Sequence, residues 1–217
     1  IEEYSYQVIK RLRDKLNGHR VVLYIRHDQE IDFNLPKNWR VKKLWLPYFS
    51  SQIRFSLELL IHPTDVLFVP SHTVPPFHPK KTIVVIHGLE YEFVPKAYSA
   101  WARFYMPIVI KNSCRWAEKI ISVSRNTKKD LINLYKVPEE KISVIYEGYE
   151  TDPELKNCDL SDNDKFKDLQ AAYLLFVGRL EERKNIIGII KTFELLREKH
   201  GLRHKLGDDF VLVLREV

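Results

Sequence analysis

With 217 residues, 45% of them hydrophobic and 12% aromatic, the chain can build one large domain, or one domain and part of another, and the composition argues against disorder. Its 35 Lys and Arg against 29 Asp and Glu leave a net charge of +6 spread along the sequence. Charge alone therefore separates nucleic acid, an anionic membrane face and phosphorylated small molecules only weakly. Cys114 and Cys158 are too few for a disulfide scaffold and form no metal-ligand pattern, so a reducing, cytoplasmic setting is expected. No apolar run approaches the roughly 18 residues of a membrane span, and the opening residues do not read as a signal peptide. The chain starts on Ile1 with helical periodicity and stops on the strand-like FVLVLREV, as a piece cut at both ends would.

In residues 2–16, Tyr4, Val8, Ile9, Leu12 and Leu16 recur at amphipathic helical spacing, and Asn17-Gly18 ends the helix. VVLYI (21–25) and WRVKKLWLP (39–47) are strand candidates, followed by a helix over 50–62 with a Ser cap and closed by Pro63. DVLFVP (65–70) and TIVVIHG (82–88) are continuous apolar runs, the pattern of parallel strands covered on both faces. A long helical region lies between residues 98 and 118, where Pro107 is expected to kink or divide it. IISVS (120–124), a helix over 125–135 and ISVIYEG (142–148) complete an alternation that predicts a doubly wound α/β domain. Residues 151–170 are polar and acidic without periodicity, a linker or long surface loop. A second β-α-β series then opens with AAYLLFVG (171–178), a helix over 185–200 with Ile186, Ile189, Ile190, Phe193 and Leu196 on one face, and DFVLVL (209–214). The domain reading is therefore 1–150, a connecting 151–170, and the start of a second domain over 171–217.

In parallel α/β sheets ligands bind beyond the carboxyl ends of the strands, and FVGRLEERKN (176–185) places Gly178, Arg179, Arg183 and Lys184 at such an end. A cation beside a helix N-terminus costs about 0.3–1 kcal/mol when unpaired. An anionic ligand would remove that cost, and the helix's free N–H groups would share in holding it. The alternative is a solvated loop whose cations are neutralised by Glu181 and Glu182.

GRLEERKN after an apolar strand resembles the donor-binding loop of retaining GT-B glycosyltransferases, specifically glycosyltransferase family 4. DVLFVPSHTVPP with KKTIVVIHGLEY (65–76, 80–91) is similar to that family's acceptor-domain core, ISVSRNTKKDL (121–131) to its Val-Ser strand-to-helix junction, and ISVIYEGYE (142–150) to its interdomain strand. IEEYSYQVIKRL resembles its first helix, which in the family follows a strand and a glycine-rich loop. The resemblance implies a GT-B architecture: a Rossmann-like N-terminal acceptor domain lacking its first strand, and the first β-α-β of a Rossmann-like donor domain. It also implies transfer of a hexosyl-type sugar from a nucleotide-diphosphate sugar to an acceptor hydroxyl, with retention, in glycan or cell-envelope polysaccharide synthesis. Arg179 and Lys184, with Gly178, would hold the donor diphosphate, and no metal or other cofactor is expected. The family's downstream glutamate motif would lie past Val217, so this piece alone is expected to be inactive.

His87 closes TIVVI, and the family's matching histidine lies near the transferred sugar, so His87 is the candidate catalytic residue; a strand-capping backbone hydrogen bond is the plainer reading. Gly88 would allow close approach to a ligand or simply a turn, and Ser124 would cap a helix while contacting substrate. Glu147 and Gly148 are further candidate contacts, although Glu147 stands where the family usually has Asn, and Arg125 where it often has an acidic residue. His72 and His78 read as loop residues with a minor acceptor role at most, and Asp162-Asn163-Asp164 as a solvated loop, not a metal motif. In residues 96–119, Trp101, Phe104, Tyr105 and Trp116 mix with Lys96, Arg103, Lys111 and Arg115; this suits either peripheral contact with the inner face of an anionic membrane or a core helix pair with a charged outside. The rival functions are another GT-B enzyme, such as a sugar-nucleotide epimerase or glycan phosphorylase, and a basic non-catalytic module. Dispersed charge and the lack of a nucleic-acid motif argue against nucleic acid as partner.

Overall fold

A computed structural model describes residues 2–44, 51–149, 173–199 and 211–215. The linker expected over 151–170, with Cys158, Asp162 and Asp164, lies outside them, as does the Ser50 cap. The chain divides into two compact units, Ile1–Gly148 and Tyr149–Val217.

In the first unit the order is α1 (Glu2–Lys15), β1 (Val21–Arg26), β2 (Trp39–Leu44), α2 (Ser51–Ile61), β3 (Val66–Val69), β4 (Lys81–Ile86), a single turn α3 (Glu90–Phe93), α4 (Ala100–Trp116), β5 (Lys119–Ser122), α5 (Arg125–Tyr135) and β6 (Ile142–Val144). Every pairing among its described residues is parallel, giving a mixed α/β domain of Rossmann-like type. Among the described residues the strands form two sheets, β1-β2 and β3-β4-β5-β6, where the alternation alone suggested one doubly wound sheet. Tyr24 of β1 packs on Phe55 of α2 with ring centroids 5.0 Å apart, and both lean on the main core.

The four-stranded sheet carries that core. Val84, Val85 and Ile86 are consecutive and fully buried, which is possible only for a strand covered on both faces. Leu59 of α2, Ile110 and Cys114 of α4, Ile120 of β5 and Leu131 of α5 pack with Val84 and Ile86. Enclosure in this cluster raises the Cys114 thiol pKa to about 12, so it is a packing group and not a nucleophile.

Pro107 does not divide α4. The helix runs through it from a Ser99 cap, whose side chain accepts from Ala102 N, and only the hydrogen bond that residue 107 would have donated is forgone. Buried Ser113 Oγ accepts from Val74 N and donates to Val109 O, both at 2.8 Å, tying α4 to the loop after β3. At its C-terminus Lys141 Nζ donates to the carbonyls of Cys114 and Arg115 at 3.1 Å, a cation where the helix dipole favours one.

The second unit contains β7 (Tyr173–Val177), a short 3-10 turn over Glu182–Lys184, α6 (Ile186–Lys199) and β8 (Val211–Arg215), with β7 and β8 parallel. On α6, Phe193 is buried and Ile186, Ile189 and Leu196 are half-buried, while Ile190 is exposed.

Because Ile120 has no accessible surface and Ile53 on α2 is 64% exposed, Ile120→Ala is expected to destabilise the first unit by about 2–5 kcal/mol. Ile53→Ala should change it by no more than about 0.5 kcal/mol. Urea unfolding of the two variants checks the difference.

Candidate functional site

The carboxyl ends of β3, β4, β5 and β6 form one rim, and the candidate residues of the first unit lie along it. β4 ends at Ile86, so His87 is the first residue past the buried run. Its ring is largely enclosed, with 12% of the side chain accessible. Nε2 lies 3.0 Å from the carbonyl oxygen of Pro70, just past β3, and Nδ1 lies 2.8 Å from Glu147 Oε1, just past β6. A carbonyl oxygen only accepts, so the proton facing Pro70 belongs to Nε2. Nδ1 donates to the carboxylate when the ring is doubly protonated, and the pair is then charged on both sides. The strand-end cap expected as the plainer reading is thus present, with a carboxylate on the other nitrogen. To reach a substrate, His87 must exchange one of these two bonds.

Two aromatic neighbours complete the enclosure. Tyr4 of α1 meets the His87 ring edge-on at 4.8 Å, and His72 meets it at 5.4 Å. His72 Nδ1 is buried without a hydrogen-bond partner. Burial, reinforced by the nearby positive charge of His87, lowers the His72 pKa to about 4, so its ring is neutral at pH 7. Burial first and the Glu147 charge second also raise the Tyr4 hydroxyl pKa. Neither residue carries a sequence signal for this place: Tyr4 reads as part of an apolar helix face, and His72 as a loop histidine.

Gly88 has an ordinary backbone conformation, and a Cβ there would meet the Glu90 carboxylate at 2.6–2.8 Å. The space a side chain would need is occupied by Glu90. Ser124 caps α5 as expected: its Oγ accepts from Thr127 N at 3.0 Å and lies 2.9 Å from Thr127 Oγ1. Thr127 Oγ1 also points at the His87 carbonyl, 3.4 Å away, so the cap and the histidine share a neighbour. Arg125 is exposed, and Gly148 has open space around it. His78 sits apart from the rim, with Nδ1 near Pro79 O and Thr82 Oγ1. It lines a cleft of about 300 Å³ with Leu59, Thr64 and Phe77, near the amino ends of β3 and β4.

In the second unit, β7 ends at Val177 and is followed by Gly178, whose φ of +155° is a conformation side chains rarely adopt. Glu181 gathers two of the cations: Arg179 Nη1 donates to Oε1 at 3.1 Å and Arg183 Nε to Oε2 at 2.5 Å. The Arg183 hydrogen bond, with a smaller contribution from Arg179, lowers the Glu181 carboxyl pKa. Arg179 remains 71% exposed despite its pairing. Asn185 takes a left-handed conformation between the 3-10 turn and α6, so the helix begins at Ile186, slightly later than the sequence pattern indicates. Local neutralisation by Glu181, one of the two sequence readings of this loop, occurs, and Arg179 and Lys184 stay exposed on the same turn. Among the described residues no group of three or more His, Cys, Asp or Glu is arranged to hold a metal, and no helix is long and apolar enough to cross a membrane.

Comparison with known proteins adds the relatives. The family described as Glycosyltransferase Family 4 matches residues 1–153. An O-antigen chain mannosyltransferase of Salmonella typhimurium is 25% identical over 183 residues, covering 84% of this chain and 46% of that protein. A glycosyltransferase of Methanocaldococcus jannaschii is 24% identical over 217 residues, covering 86% of this chain and 54% of its own length. O-antigen chain mannosyltransferase B of Escherichia coli is 23% identical over 133 residues, covering 60% and 35%. The chain spans about half or less of the length of these relatives.

The folded His72 ring resists protonation down to about pH 4, whereas the unfolded ring takes a proton near 6.5. The unfolded state therefore binds more protons between those values, and this group lowers stability as pH falls from 6.5 towards 4. His72→Leu should lose less stability than the parent over that window. Urea midpoints of the two proteins at pH 7 and pH 4.5 measure it.

Proposed function

Since the chain belongs to glycosyltransferase family 4, we propose that it contains the acceptor-side domain and the opening of the donor domain of a GT-B enzyme. That enzyme would transfer a sugar from a nucleotide-diphosphate donor to an acceptor hydroxyl, with the anomeric configuration retained. The acceptor is a glycan or a lipid-linked glycan, and the setting is cytoplasmic. The family match over residues 1–153 carries this reading. Two of the relatives are O-antigen chain mannosyltransferases, which makes nucleotide-diphosphate mannose the first donor to test and cell-envelope polysaccharide synthesis the first pathway class.

Chemically, the loop after β7 suits the departing group. Negative charge builds on the diphosphate as the glycosidic bond breaks, and cations already in place stabilise that charge more than they stabilise the bound substrate. Arg179 and Lys184 take this role without a metal, and Gly178 lets the chain turn there. A diphosphate oxygen would compete with Glu181 for the Arg179 guanidinium, and a charge of about −2 or more outcompetes a single solvated carboxylate. On the acceptor side, a sugar hydroxyl replaces the Pro70 carbonyl as acceptor for His87 Nε2–H. Glu147 holds the other side of the ring and keeps its orientation while that exchange occurs. Ser124, Gly88 and Gly148 border the same rim and are assigned to substrate contact.

The full-length protein should release nucleoside diphosphate from the correct sugar nucleotide when acceptor is supplied, and much less without it. An epimerase would convert the donor without acceptor. Replacing Arg179 and Lys184 together with Ala should weaken donor binding and lower turnover at least tenfold, with circular dichroism unchanged. Unchanged donor affinity in a folded double variant would remove the loop from the site.

A further inference from the structure

We infer that the outer face of α4 is a docking surface for an anionic lipid bilayer. The observation is a stripe on that helix. Trp101, Phe104, Tyr105 and Ile108 are 54%, 66%, 36% and 46% exposed, and their three- and four-residue spacing puts them on one side. Lys111 and Arg115 continue the same side and are exposed as well. Trp101 stacks on Tyr105 with ring planes 17° apart and centroids at 5.7 Å, so the aromatic part is a joined surface and not a scatter of single side chains.

Charge selects the occupant. Between residues 93 and 117 there are four cations, Lys96, Arg103, Lys111 and Arg115, and no carboxylate. Of the flanking acids, Glu92 accepts from Tyr135 OH at 2.6 Å and Glu90 lies over Gly88, which leaves Glu118, exposed just past the helix end, as one carboxylate against the four cations. Aromatic rings that sit at the headgroup level, beside cations that pair with anionic headgroups, match the interfacial region of a bilayer. A second copy of the chain is a poorer fit, because a two-fold contact through this face would oppose like charges. The stripe is also rigidly held: the opposite side of α4, with Ile110, Ser113 and Cys114, is buried, and Lys141 fixes its C-terminal carbonyls. Binding thus requires no helix to form at the surface, unlike a peptide that folds on contact.

Since α4 begins soon after β4 and runs back towards the start of β5, its aromatic turns lie towards the same end of the sheet as the His87 rim. A bilayer held there would bring membrane-anchored molecules towards that end. The inference goes beyond the transfer reading and is read out separately from transfer.

Vesicle sedimentation with the full-length protein tests it. The protein should bind vesicles of equal phosphatidylglycerol and phosphatidylcholine, with a blue shift in tryptophan emission, and bind phosphatidylcholine alone far more weakly. Lys111→Ala with Arg115→Ala should weaken partition about thirty-fold at low salt. Trp101→Ser with Phe104→Ser should abolish the blue shift and the binding that persists at high salt. All four side chains are exposed, and circular dichroism confirms that each variant is folded. Equal binding to neutral and anionic vesicles, or partition unchanged in the folded charge variant, overturns the proposal. So does a parent protein that ignores vesicles, whether it is monomeric or self-associates through this face.

Discussion

The fold is governed by the burial of β4 on both faces. Val84, Val85 and Ile86 fill the carboxyl half of the strand with buried apolar side chains, so the first titratable group at that end is His87, immediately past it. Polar groups just past the neighbouring strands meet it there: the Pro70 carbonyl and Glu147 each bond the His87 ring, and Ser124 caps α5 through Thr127 beside it. A parallel sheet thus concentrates hydrogen-bonding capacity at one edge before any ligand is considered.

That mutual satisfaction shapes the chemistry. Both nitrogens of His87 are engaged and its ring is enclosed by Tyr4 and His72, so the residue is oriented but not idle in solvent. The loop after β7 follows the same logic with charge. Glu181 holds Arg179 and Arg183 on a short turn, which limits repulsion among the cations while leaving Arg179 accessible. On the proposed reading, an internal partner in both places occupies the position a substrate group would take, and binding is an exchange of partners instead of the filling of a void.

Much of this was legible from pattern. Apolar runs over 65–70 and 82–88 marked β3 and β4, and the strand-to-helix junction at Ser124 marked both the end of β5 and the cap of α5. The cations after Gly178 and their neutralisation by Glu181 followed from sequence proximity alone. The parts that were not legible depend on distance along the chain. Tyr4 and His72 reach His87 from 83 and 15 residues away, and a lone tyrosine or histidine carries no period or motif to announce that contact. Glu147 reaches it from 60 residues away, through the end of β6. Of the two outcomes expected at Pro107, division does not occur: tertiary packing of Ile110, Ser113 and Cys114 holds α4 together across a residue that would disrupt an isolated helix. The division of the first-unit strands between two sheets also left no trace in the alternation of strands and helices.

If the cations after β7 receive a diphosphate, a crystal structure of the full-length protein with a bound nucleoside diphosphate will show phosphate oxygens within about 3 Å of Arg179 and Lys184, with Arg179 released from Glu181. A nucleotide bound elsewhere, with Arg179 still on Glu181 and Lys184 in solvent, would contradict it.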